Sequence, residues 1–82
     1  MTELRSRLGR VIQQLRRNRG ISQQELAKKA KLHRTYVSDV ERGVRNPSLI
    51  SLERVAAALD LPLSEIFKRA ELANVGQTET IS

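Results

Sequence analysis

Two short stretches of helical period stand almost end to end, "SQQELAKKAK" at residues 22–31 and "RTYVSDVER" at residues 34–42. Only Leu32 and His33 separate them. Each is bounded by its own signals. Ser22 can accept from the backbone amide of Glu25 while the Glu25 carboxylate returns a bond to the Ser22 amide, and Gly43 follows the second stretch where a helix would stop. Two helices joined by so short a turn form a fixed local unit, and the rest of the chain has to pack around it.

The rest is also helical in period. Leu4, Leu8, Val11, Ile12 and Leu15 recur on one face, predicting a helix over residues 4–18 that ends before Gly20. Pro47 disfavours helix at Asn46, and Ser48 caps a fourth helix carried by Leu49, Leu52, Val55, Ala56 and Leu59. Leu63, Ile66, Phe67 and Ala70 mark a fifth near residues 63–72. Residues 74–82, "NVGQTETIS", have no apolar period and are expected to be a flexible tail behind a domain of residues 1–73. The fold class expected is all-α, with five short helices and no strand.

The chain has 82 residues, enough for one small core. Aromatics are 2% of it, so that core is aliphatic, and self-association would help stabilise it. With no cysteine there is no disulfide framework and no thiolate zinc site, and a lone His33 offers no metal-ligand set. No apolar run approaches a membrane span, the N-terminus is too polar for a secretory signal, and a cytoplasmic protein is expected. No nucleophile–base pair, phosphate loop or cofactor motif is visible, and no small-molecule pocket is evident, so an enzyme is not expected. The net charge of +6 is unevenly spread. Residues 1–45 hold 12 Lys/Arg against 4 Asp/Glu, whereas residues 46–82 hold 3 against 5. A basic half of this kind can lie against a polyanion.

The arrangement of the second and third helices is that of a helix-turn-helix. Successive helical residues are about 100° apart. Val37, Val40 and Glu41 therefore share one face of the third helix, while Arg34, Ser38 and Arg42 share the other. Arg34 and Thr35 stand at its N-terminal end, where a recognition helix enters the major groove. Arginine can donate two parallel hydrogen bonds to a guanine edge, and the threonine methyl can meet that of thymine. Gln23 and Gln24 open the second helix, where free amides favour a phosphate. Arg42, Arg45 and Asn46 offer a second set of phosphate contacts. Glu41 faces inward with Val37 and needs a partner there. Arg16, four residues after Ile12, is placed to supply it.

The run "LRRNRGISQQELAKKAKLHRTYVSDVERGVRNPSLISLERVAAAL" resembles the phage repressor/Cro class of helix-turn-helix proteins, the XRE family, over about residues 5–70. Within it, "RTYVS…ERG.RN" is most similar to the controller proteins of restriction–modification systems, although general repressors share it. The resemblance implies a five-helix lambda-repressor-like DNA-binding domain. It implies base contacts from Arg34, Thr35 and Ser38, and phosphate contacts from Gln23, Arg45 and Asn46, with Tyr36 beside the backbone. It also implies the Arg16–Glu41 pair. Two positions depart from the pattern. His33 stands where an acid or threonine often sits, and Asp39 where a base-reading amide is common. An acid there would repel phosphate or accept from cytosine N4.

The function expected is a sequence-specific transcriptional regulator of double-stranded DNA, without cofactor or metal. One recognition helix reads too few base pairs for a regulatory site. A homodimer on a palindromic operator is therefore expected, formed through Leu63, Ile66, Phe67 and Ala70. The alternative is an antitoxin-type interaction module that also binds DNA, for which the tail is the hint.

Overall fold

The computed structural model describes residues 3–81, with side chains through residue 73. Among the described residues there are five helices and no strand: α1 Leu4–Asn18, α2 Gln23–Ala30, α3 Arg34–Glu41, α4 Leu49–Ala58 and α5 Leu63–Ile81. Helix α1 packs on α3 and α5, α2 on α3 and α4, and α4 on α5. The core is aliphatic, centred on Ile12, Leu26, Val37, Leu59 and Ile66.

The helix boundaries follow from capping chemistry. The Ser22 hydroxyl accepts from the Glu25 amide at 3.1 Å and the Glu25 carboxylate accepts from the Ser22 amide at 3.0 Å, completing the box that opens α2. Ser48 accepts from the Ser51 amide at 3.0 Å and opens α4. Gly20 and Gly43 adopt φ of +69° and +75°, the left-handed conformation that ends α1 and follows α3. Helix α2 closes on Lys31 at φ 59°, a left-handed cap without glycine.

Gly9 has a different role. A Cβ there would run into the Val40 carbonyl oxygen and stand 2.6 Å from that of Glu41. The missing side chain lets α1 lie directly on the end of α3.

Three expectations need correction. Leu4 and Leu49 sit in the first turns of their helices and remain 44% and 70% exposed, outside the core that their period assigned them to. Ile66 and Ala70, expected at a surface shared between two copies, have no exposed surface at all. They face inward because α1 and α4 both close on α5. The fifth helix also continues past residue 72 to Ile81, where a tail was expected from residue 74. No proline interrupts residues 63–81, and extending a formed helix adds a hydrogen bond for each residue fixed. Ser82 lies outside the described residues.

Candidate nucleic-acid interface

Helix α3 is held by its inner face. Val37, Val40 and Glu41 are buried along it. Arg16 of α1 meets the Glu41 carboxylate with two parallel bonds, Nε to Oε2 at 2.7 Å and Nη2 to Oε1 at 3.1 Å. Its remaining nitrogen, Nη1, donates to the Ile21 carbonyl at 2.9 Å. The hydrogen bond to Glu41 raises the Arg16 pKa against the lowering effect of burial. Gln23 completes the cluster, its Nε2 donating to Glu41 Oε1 at 3.0 Å. One carboxylate thus ties together α1, the start of α2 and the end of α3. Each guanidinium nitrogen of Arg16 thus has an acceptor, so the buried pair leaves none of those atoms without a partner.

With its inner face fixed, α3 presents a defined outer face. Arg34 and Thr35 are exposed at its first turn and Ser38 is half-buried one turn on. No described acid pairs with Arg34. A concavity of about 580 Å³ bordered by Arg5 and Asn46 is otherwise lined largely by apolar groups. The one beside Arg34 is polar, about 560 Å³, with Arg17, Gln23 and Gln24 on its other sides. Sequence reasoning had not singled out Arg17. The signal was the adjacent pair Arg16–Arg17: with Arg16 turned inward, the next residue points about 100° away. Gln23 is less free than its position at a helix start implied, because one amide hydrogen is committed to Glu41.

A second cluster forms where α3 runs into the following loop. Asp39 Oδ1 accepts from Arg42 Nη2 at 2.7 Å, and Asp39 Oδ2 lies 3.5 Å from Arg45 Nη2. The Arg45 guanidinium lies 4.8 Å from the centre of the Tyr36 ring, within cation–π range. The Tyr36 hydroxyl in turn accepts from the Ser48 amide at 3.2 Å. Burial raises the pKa of the phenol, but hydrogen bonding with Ser51 and Ser48 and the charge of Arg45 outweigh that and leave it lowered. Asn46 is exposed and its Oδ1 accepts from Arg5 Nη1 at 3.3 Å. The residues expected to touch DNA therefore fall into two groups, Arg34, Thr35 and Ser38 on α3 with Gln23 across the polar concavity from Arg34, and Tyr36, Arg42, Arg45 and Asn46 around its C-terminal end.

No cluster of described residues could hold a metal ion, and no described helix is long and apolar enough to cross a membrane.

Comparison with known proteins gives the same fold and the same motif. A helix-turn-helix family model matches residues 12–66. Control protein C.MunI of a Mycoplasma species is 39% identical over 72 residues, spanning 87% of this chain and 97% of that protein. The immunity repressor protein of Bacillus phage phi105 is 42% identical over 72 residues, 88% of this chain but 50% of the repressor's own length. The crystal structure of the restriction–modification controller protein C.AhdI from Aeromonas hydrophila superposes with a TM-score of 0.74 at 40% identity, over 76% of this chain and 94% of that one. This chain belongs to the helix-turn-helix family of DNA-binding transcription regulators, of the XRE type.

Proposed function

We propose that the chain regulates transcription as a cytoplasmic homodimer on a palindromic operator in double-stranded DNA, in the manner of a restriction–modification controller protein. The observation that carries this reading is an arginine free of any described acid partner at the exposed start of α3, a helix whose inner face is locked by the buried Arg16–Glu41 pair. Arg34, Thr35 and Ser38 read bases. Gln23, Tyr36, Arg42, Arg45 and Asn46 meet the phosphate backbone, and Arg17 joins them from α1. Nothing in the chemistry calls for a cofactor or an effector, and the concentration of the protein is the regulating variable.

Two copies are needed because one helix reads too little sequence. With Ile66 and Ala70 inside the monomer, the contact falls to Leu63 and Phe67, which keep part of their surface. Phe67 lines the concavity of about 580 Å³ together with the exposed Leu4 and Leu49, and these are the apolar groups a second copy would cover. The antitoxin alternative drew on an unstructured tail, and a backbone helical to Ile81 removes that ground.

Footprinting on the DNA just upstream of the chain's own gene tests the proposal. Protection is expected in two half-sites about 34 Å apart, one turn of the duplex. Sedimentation of wild-type protein at tens of micromolar as a monomer would overturn the dimer.

A further inference from the structure

Asp39 is an acid in the middle of the surface assigned to DNA, and its surroundings give it a task. Its side chain is only 19% exposed. One carboxylate oxygen holds Arg42 at 2.7 Å and the other stands 3.5 Å from Arg45. Arg45 is gripped from its other side by the Tyr36 ring at 4.8 Å. Both arginines still keep open surface, 64% for Arg42 and 47% for Arg45. At the opposite end of α3, Arg34 has no described acid beside it. Among the described residues, the helix thus carries a cation without an acid partner at its start and two tethered cations at its end.

We propose that Asp39 is a specificity-determining residue, which restrains Arg42 and Arg45 so that they contribute little to binding random DNA and fully to binding the operator. This rests on the DNA-binding function proposed above. Generic affinity grows with the number of phosphates that cations neutralise. A carboxylate between two guanidinium groups cancels one of their two charges and fixes where they point. On a duplex that does not match, the helix is not seated, and an arginine reaches a phosphate only by leaving Asp39. On the operator, base contacts at Arg34 seat the helix, and the phosphates arrive where the arginines already are. With both oxygens engaged and most of its surface covered, the carboxylate is a poor candidate for reading a base itself.

The test compares two duplexes of one length, the tightest recovered by wild-type protein from a randomised pool and a scrambled version of it. Asp39→Asn, which keeps the shape and removes the charge, is expected to bind the scrambled duplex roughly threefold to tenfold tighter, the scale of two exposed ion pairs released. Binding to the selected duplex should change by less, so the ratio of the two affinities falls. Selection repeated with the variant should return the same bases. In an Arg42→Gln, Arg45→Gln background the gain from Asp39→Asn should disappear, whereas simple repulsion of phosphate by Asp39 would leave it in place and overturn the proposal. Scrambled-duplex binding that is unchanged or weaker overturns it too, as does a new base preference at one position. A wild-type protein that enriches no sequence from the pool would instead remove the DNA-reading function on which the proposal stands. Circular dichroism of each variant confirms that the compared proteins are folded.

Discussion

Helix α3 carries the carboxylates of two arginine pairs two residues apart, and their closest approach is the same. Glu41 meets Arg16 at 2.7 Å, and Asp39 meets Arg42 at 2.7 Å. Their settings differ. The Glu41 side chain is wholly covered and that of Arg16 is 10% exposed, whereas Asp39 is 19% and Arg42 64% exposed. Water can replace either partner in the second pair and neither in the first. Removing one member of a buried pair leaves the other charge uncompensated, at a cost of about 3–5 kcal/mol. An exposed pair contributes about 0–1 kcal/mol. Distance therefore does not rank these contacts; burial does. The inner pair fixes how α3 sits, and the outer one sets how its charges meet a ligand.

The largest expected effect follows directly. Glu41→Ala should lower stability by about 3–5 kcal/mol, read as a fall in the urea midpoint, because it strands Arg16 and takes the acceptor from Gln23. Replacing the whole pair, Arg16→Met with Glu41→Leu, should recover most of that loss. A Glu41→Ala midpoint equal to wild type would remove the distinction between the two pairs. Next in size, Gly9→Ala should cost about 1–3 kcal/mol as its methyl pushes α1 off the end of α3. It shifts the helix that carries Arg16. Combined with Glu41→Ala it should therefore cost less than the two losses added together, since both act on one contact.

The sequence-level signals divide along the same line. Helix starts and stops were legible in local chemistry at Ser22, Ser48, Gly20 and Gly43, each a short-range cap. The inner pair was legible too, since Glu41 shares a helical face with Val37 and the core demanded a partner. What escaped depended on contacts made at a distance. Gly9 reads as a weak point in a helix until α3 is seen lying against it. Ile66 and Ala70 read as a stripe open to a second copy until α1 and α4 close over them. Asp39 was judged against absent DNA, although the spacing of Asp39 and Arg42 already allowed a pair three residues apart on one helix. Lys31 gave no glycine to mark its left-handed cap.

Binding sharpens the comparison on the outer surface. Arg34→Ala should weaken binding to the selected operator by about 1–3 kcal/mol and leave random DNA nearly untouched, since Arg34 is assigned to bases. Arg45→Ala should instead reduce the slope of log affinity against log salt on the operator by about one unit, with a smaller loss on scrambled DNA, from which Asp39 withholds the side chain. Fluorescence titrations of both variants on matched and scrambled duplexes measure this. An operator salt slope unchanged in Arg45→Ala, or lowered as much in Arg34→Ala, would show that readers and positioners are not separate groups.

The smallest expected effect is the most direct test of the idea that burial outranks distance. Asp39→Asn removes two ion pairs at once, one of them as short as the pair at Glu41. The stability lost should still stay within about 1 kcal/mol, because Arg42 and Arg45 regain water and Arg45 keeps its place over Tyr36. The backbone is not disturbed, since the bond to the Asp39 carbonyl from the Val44 amide, at 3.1 Å, does not involve the side chain. Salt supplies the control. At about 1 M the screening length falls to about 3 Å, so the difference between Asp39→Asn and wild type should vanish, while the deficit of Glu41→Ala persists in a site that ions do not enter. Urea midpoints of the three proteins at low and high salt decide it. If Asp39→Asn loses as much as Glu41→Ala and salt leaves both losses intact, the two pairs are energetically alike and the exposure of Arg42 is no guide to its strength.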